Sequence, residues 1–224
     1  MFDTSSFESL IEIQNLTWWY PDTPNLIFDH LNMTIFTWDF IFLVWKSGAG
    51  KTTLVKFLIR QLTPPKKTIF FKKEDIARFD DTEVQHYRRK IWVIYQDYKL
   101  LEWRTVYQNL IVPLHIQWVH TNQYEKQISH YLQLIGLEHK IHTPIEHLSW
   151  WEKQRVTIWR ALLSQPEFFI ADEPTWNLDR DNSILVADTL IKLHKEWNTV
   201  ILISHDAQLI KYISERTKTT THSL

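Results

Sequence analysis

A chain of 224 residues, 44% of them hydrophobic and with a formal net charge of −1, suits one domain, or one domain with a sub-domain, and can bury a substantial core. The charge balance gives no whole-chain electrostatic case for nucleic-acid binding, and the absence of cysteine excludes disulfides and thiolate metal sites and fits a cytosolic protein. The start, with Asp3 and Glu8, lacks the basic and then apolar run of a signal peptide, and no stretch approaches the ~20 apolar residues that span a bilayer, so any membrane role is expected to be peripheral and through a partner.

In chain order, Leu10 to Leu16 alternates around Ile11 and Ile13 like a strand, and Thr17 to Pro21 is expected to turn. A second strand pattern covers Leu31 to Phe36, and Trp38-Asp39 leads into a continuously apolar strand, Phe40 to Leu43. The next stretch reads LVWKSGAGKTT, after which Leu54, Phe57, Leu58 and Leu62 recur at helical spacing. A buried strand entering a tight loop and leaving as a helix is the setting of a phosphate-binding loop, G-x-x-x-x-G-K-[ST]. In that loop backbone N–H groups cradle phosphates, the lysine reaches the β/γ-phosphates and the hydroxyl holds Mg²⁺. The candidate cradle is therefore Trp45, Lys46, Ser47, Gly48, Ala49, Gly50, Lys51, Thr52 and Thr53, with Thr52 toward the metal. Its first position should be glycine, because the backbone turns sharply beside the phosphate. Tyr20, ahead of this loop, is a candidate for stacking on an adenine ring.

The tryptophan at position 45 belongs to a wider pattern. A typical soluble chain is roughly 7% glycine, about 16 residues at this length, yet this one has 3 glycines and 12 tryptophans. Together they make 15, the ordinary glycine quota, so most tryptophan letters are expected to stand where the organism inserts glycine. A reassigned UGA codon has this effect: some bacterial lineages read it as glycine, and another variant code reads it as tryptophan. A decayed pseudo-ATPase would instead scatter many kinds of replacement.

From Thr63 to Asp81 a Pro-Pro-Lys-Lys turn, a short strand Ile69-Phe70-Phe71 and a charged helix start read as surface structure, and Arg88, Arg89 and Lys90 as a solvated basic run. The buried strand Ile91 to Asp97 carries Gln96 to its carboxyl end, where a side chain can reach a metal or an attacking water. Leu100 to Leu148 is mostly helical, with Val106, Leu110 and Leu114 on one face, Ile128, Leu132 and Ile135 on another, and breaks expected at Pro113, Trp118 and Pro144. Ser149 then N-caps a helix, with Glu152 completing a capping box. The adjacent Trp150 and Trp151 stand where a glycine pair would let backbone approach an anion. Phe168 to Glu173 has the form of a buried strand delivering two carboxylates, Asp172 for Mg²⁺ and Glu173 for the attacking water. Asn177-Leu178-Asp179 is a turn, and Thr199 to Ile203 a β-branched strand that ends in Ser204-His205-Asp206. His205 is a candidate γ-phosphate contact. The tail from Arg216 shows no closing strand pair and is expected to be short or frayed.

Taken in order, these pieces resemble the nucleotide-binding subunits of ATP-binding-cassette transporters over nearly the whole chain. LSWWEKQR resembles their LSGGQ-type signature, and ADEPTWNLD resembles ADEPTGNLD, usual in the subgroup of lipoprotein-release, macrolide-export and cell-division ATPases. RRKIWVIYQDYKLL with RTVYQNLIVPL is most similar to the cell-division, FtsE-type branch. Trp38, Trp45, Trp92, Trp150, Trp151 and Trp176 align with family glycines, and Trp19, Trp118 and Trp197 sit where glycine is usual. The resemblance implies an α/β P-loop NTPase fold with a RecA-like core (about 1–99 and 156–224), an antiparallel β sub-domain and a helical sub-domain (about 100–155). It implies Mg²⁺-dependent ATP hydrolysis, with catalysis by Glu173, His205 and Gln96, and metal binding by Thr52, Gln96 and Asp172. ATP is expected to meet Tyr20, the loop from Trp45 to Thr53, and Ser149, Trp150, Trp151 and Asp179 of an opposite subunit. The expected assembly is an ATP-induced homodimer on the cytoplasmic face of the cell membrane, driving an FtsX-like permease in cell division. An exporter or lipoprotein-release ATPase, a soluble cassette of repair or translation, and a non-catalytic interaction protein are the alternatives.

Overall fold

The computed structural model describes residues 8–22, 25–44, 50–94, 99–116, 128, 132, 136–175, 178–196 and 198–223. An antiparallel sheet comes first in the chain. β1 (Ser9–Trp18) pairs with β2 (Phe28–Phe36) on one side and β4 (Ile69–Phe71) on the other, and β4 pairs with the short β5 (Glu74–Asp75). Alternation sets its faces: in β2, Phe28, Leu31, Met33 and Ile35 are buried while Asp29, Asn32 and Thr34 look outward. β1 runs on through Thr17 and Trp18, which had read as a turn, because its ladder continues to the Trp18–Phe28 pair.

The second sheet is parallel, in the order β6 (Ile91–Ile94), β7 (Phe168–Asp172), β8 (Thr199–Ile203), β3 (Phe40–Val44), β9 (Thr220–Ser223). Its central strands are apolar without alternation because both faces are covered. Ile41, Leu43, Phe168, Ile170, Ile201 and Ile203 share a core with the antiparallel sheet and with Leu54, Val55, Phe57 and Leu58 of α1 (Lys51–Leu58). Phe40, Phe42, Phe169, Ala171, Val200 and Leu202 pack on the other side against α5 (Arg180–Lys195) and α6 (Ala207–Ser214). The α1 helix is thus held between two sheets, and each of its fully buried Leu or Phe side chains contributes about 1.5–3 kcal/mol of transfer free energy.

A third cluster joins Val106, Leu110 and Leu114 of α3 (Val106–Ile116) to Ile145, Leu148, and Val156 and Leu163 of α4 (Trp150–Leu163). Pro113, expected to break the helix, lies inside α3 and is buried there. Losing one backbone N–H and straining the preceding turn is tolerated because its neighbours Leu110 and Leu114 are anchored in the cluster. The break expected at Trp118 lies outside the described residues, and so does Ile135. Two further expectations change. Arg88, in the last turn of α2 (Asp81–Arg89), is no idle surface charge: it donates from Nε to the Ile59 carbonyl and from Nη2 to the Arg60 carbonyl, closing the end of α1. The tail also forms β9, parallel to β3 with Ile41 opposite Thr220 and Leu43 opposite His222. Its threonines carry strand propensity and an edge-compatible polarity but no hydrophobic alternation, which is why the sequence reads as frayed.

Candidate nucleotide-binding site

The parallel sheet delivers the chemistry to its carboxyl edge, the usual place for a ligand in such sheets. β3 leads through residues 45–49, which lie outside the described set with Trp45, Lys46, Ser47, Gly48 and Ala49, into Gly50 and α1. Gly50 caps α1 with φ of 98°, and a Cβ there would fall 2.3 Å from Ile27 Cγ2. Glycine is required at this position on both counts. Lys51 and Thr52 open the helix, with Thr52 exposed and Thr53 buried. The hydroxyls of Thr53 and Tyr20 lie 3.1 Å apart, so Tyr20 is tied to the first turn of α1. Its ring also meets Trp18 edge-on at 6.5 Å.

β7 and β8 are adjacent and in register, with Asp172 opposite Ile203, so the residues that follow them converge although they are far apart in sequence. Lys51 Nζ lies 2.8 Å from Glu173 Oε1, and His205 Nδ1 lies 2.8 Å from the same oxygen. The Lys51 and Glu173 side chains are only 18% and 15% exposed, so this pair is shielded from solvent and screening. Burial pushes the Glu173 carboxyl up, but its hydrogen bonds with Lys51 and His205 outweigh that and hold it below the ordinary glutamate range. Asp172 behaves oppositely: burial first, and the neighbouring Glu173 charge second, raise it above the ordinary aspartate range, against the pull of Lys51. Glu173 also sits at φ of 45° with its N–H donating to the Ile203 carbonyl at 2.9 Å. A left-handed conformation at a non-glycine residue is the kind of local strain that gathers at functional sites. Three sequence candidates, Lys51, Glu173 and His205, thus form one contact network, with Asp172 beside it.

The other candidates lie apart from this network. Ser149 N-caps α4: its N–H and hydroxyl both donate to Glu152 Oε2 at 2.9 Å, and the Glu152 N–H returns to the hydroxyl at 3.4 Å. The expected capping box is present, reinforced by Lys140, 2.7 Å from Glu152. Burial raises the Glu152 carboxyl, and the Lys140 and Ser149 hydrogen bonds together bring it below the ordinary range. Trp150 and Trp151 occupy the first two helical positions, with rings edge to face at 5.2 Å. Asp179 caps α5 by accepting from the Asn182 N–H at 2.9 Å. Gln96, Trp176 and Asn177 lie outside the described residues. Among the described residues no group of three or more His, Cys, Asp and Glu side chains gathers as a metal cluster. Sequence reasoning missed the direct Lys51–Glu173 contact and the Tyr20–Thr53 link. A separation of 122 residues leaves no local signal of the first, and the second joins the segment after β1 to the helix α1 across 33 residues.

Comparison with known proteins agrees with this geometry. A family model described as "ABC transporter" matches residues 28–176. The cell division ATP-binding protein FtsE of Bacillus subtilis (strain 168) is 33% identical over 207 residues, 92% of this chain and 90% of that one. The methionine import ATP-binding protein MetN of Francisella tularensis subsp. holarctica is 31% identical over 210 residues, 92% of this chain but 60% of that one. Among solved structures, the ATP-binding cassette MJ0796, a dimer in a post-hydrolysis state bound to ADP and Pi, is 25% identical with a TM-score of 0.78, covering 91% of both chains. CbiO1 of Clostridium perfringens, part of the ABC transporter complex cbiONQ, is 25% identical with a TM-score of 0.81, covering 92% of this chain and 82% of that one. A glycine-capped helix behind a buried strand, a lysine paired across it with a glutamate, and this span of relatives lead to one assignment: the chain belongs to the ABC transporter family, as an ATPase subunit.

Proposed function

We propose that the chain is the ATP-hydrolysing subunit of a cell-division complex, working on an FtsX-like integral membrane partner. The observation that supports this branch most is the match to FtsE along 92% of this chain and 90% of the relative. Matching MetN proteins extend well beyond it, since the chain spans only 60% of the first of them. In this reading Lys51 and the loop from position 45 to Thr53 hold the phosphates, and Tyr20 stacks on the adenine. Thr52 and Asp172 offer a hydroxyl and a carboxylate, hard oxygen donors of the type Mg²⁺ takes, and Gln96 adds a third. Bound Mg²⁺ supplies charge neutralisation at the transferred phosphoryl group. Glu173 orients and deprotonates the attacking water, and His205 holds Glu173 on one side while facing the γ-phosphate on the other.

Ser149, positions 150 and 151, and Asp179 serve the nucleotide of a second copy, so ATP joins two chains across a two-fold axis. Residues about 100–155 act as the helical sub-domain that meets the membrane partner, with the core contributed by about 1–99 and 156–224. The protein sits peripherally on the cytoplasmic face of the membrane. Among the described residues no helix is long and apolar enough to cross one. A second reading, an ATPase of a transport system, is favoured by the MetN matches at 31% identity. The adjacent gene tests the choice. Co-purification of the native chain with an FtsX-like neighbour, and stimulation of ATP turnover by it, is the expected result; a transport permease in that place would overturn the division role.

A further inference from the structure

The tryptophan surplus is the feature the ATPase reading leaves unabsorbed, and resting on that reading the geometry at positions 38, 92, 150 and 151 points to a decoding event: these positions, and with them 45 and 176, which lie outside the described residues and rest on the sequence alone, are glycine in the native polypeptide, read from UGA codons. Composition states the case in bulk, with 3 glycines and 12 tryptophans. The fold adds position-by-position arguments of different kinds. Trp38 is the third residue of the Phe36–Asp39 turn, closed by the Asp39 N–H donating to the Phe36 carbonyl at 3.3 Å. Its φ is 65°, and a turn with positive φ at the third residue takes glycine. The other non-glycine residues with positive φ, among them Asn15, His30, Arg60, Lys67, Gln165 and Glu173, are all polar or charged. Trp38 is the one apolar side chain among the described residues in that region, and the residue is 44% exposed.

Trp92 lies in β6, where its indole Nε1 is shut off from solvent with no hydrogen-bond partner among the described residues. A buried orphan donor is a cost that glycine removes entirely. Trp150 and Trp151 are the first two residues of α4, directly after the Ser149 cap, the positions at which a helix start offers backbone N–H groups to an anion. Two indoles, edge to face at 5.2 Å, with Trp150 36% exposed, stand at the first two positions of this helix, where glycine would leave the backbone open to an anion. Decay does not explain the pattern. Gly50 retains a glycine-only conformation, and Lys51, Glu173 and His205 keep their 2.8 Å contacts. Machinery that has lost its purpose has no reason to keep these while losing only glycines.

The consequence is functional: translated where UGA means tryptophan, the gene gives a chain with an indole in place of glycine in the phosphate-loop and signature segments, and where UGA means stop it gives fragments. Only a host that inserts glycine makes the ATPase. Tryptic peptides of the native protein test this directly. Ile91 to Lys99 contains Trp92 alone, Ile141 to Lys153 contains Trp150 and Trp151, and Ala161 to Arg180 contains Trp176. Each is expected lighter by one indolylmethyl group, in exchange for hydrogen, per position, with UGA in the gene. Peptides at the tryptophan masses, or UGG codons, would overturn the inference. Two recombinant forms separate it from the ATPase reading. The form with glycine at the six positions is expected to bind ATP at least tenfold more tightly than the form with tryptophan. Glycine masses in a native protein that ignores ATP would sustain the decoding and overturn the catalytic assignment instead.

Discussion

Two regions of this molecule carry candidate chemistry, and they are built in opposite ways. At the carboxyl edge of the parallel sheet, Lys51, Glu173 and His205 satisfy one another within a single chain through contacts of 2.8 Å. At the start of α4, Ser149 and Glu152 are absorbed in their own capping box, with Trp150 exposed and Trp151 partly so. The first network forms within one chain and without a ligand. The second has a stable scaffold in its capping box, and in the proposed function it serves another copy's nucleotide. In the proposed function, the catalytic charge would be held where burial makes it strong, and the cross-subunit contact where it can be reached.

The sharpest way to break this contrast is Glu173→Gln in the glycine form. If Glu173 prepares the water, phosphate release falls by about 10²–10⁴-fold, ATP binding persists, and the ATP-bound dimer accumulates in size-exclusion chromatography. Unaltered turnover would remove Glu173 from catalysis. Ser149→Ala should act in two ways at once. Loss of the cap lowers stability by about 1 kcal/mol in denaturant titration, and turnover falls further than that loss explains only if α4 meets a second subunit's nucleotide.

The same cap gives a pH signature. Because Glu152 is held below its ordinary range by Lys140 and Ser149, its contribution is full above the unfolded-state value and is lost as pH falls through the lowered folded value. Acid unfolding of Ser149→Ala should therefore be shallower than that of the parent. Asp172→Asn should have the reverse sign from a pairing mutation. Its carboxyl is raised by burial and by Glu173, so removing the charge should raise the stability of the nucleotide-free protein while abolishing Mg²⁺-dependent turnover. The smallest effect is expected from Tyr20→Phe, which deletes the contact with Thr53. It should cost about 0.5–1.5 kcal/mol of stability and leave nucleotide affinity nearly unchanged, whereas Tyr20→Ala should weaken it through lost stacking.

Much of this was legible in the linear order of residues, because the signals were local. A continuous apolar run before Gly50-Lys51-Thr52 means a strand buried on both faces, and Ser149 followed by Glu152 means a capped helix; both stand in the structure as read. The composition was equally local in its message, since a missing glycine quota needs no fold to be noticed. What failed was whatever depended on distant partners. Pro113 stays inside a helix because a tertiary cluster holds its neighbours, Arg88 closes a helix from another element, and threonines without alternation become β9 because β3 offers an open edge. By itself the sequence determined the strand and helix signals, the phosphate-loop frame and the residue types of the site. Only the tertiary structure decided that Lys51 reaches Glu173 and that His205 shares its oxygen. Those contacts exist because parallel strands far apart in the chain end at one edge, and pairing across a sheet leaves no trace in local periodicity.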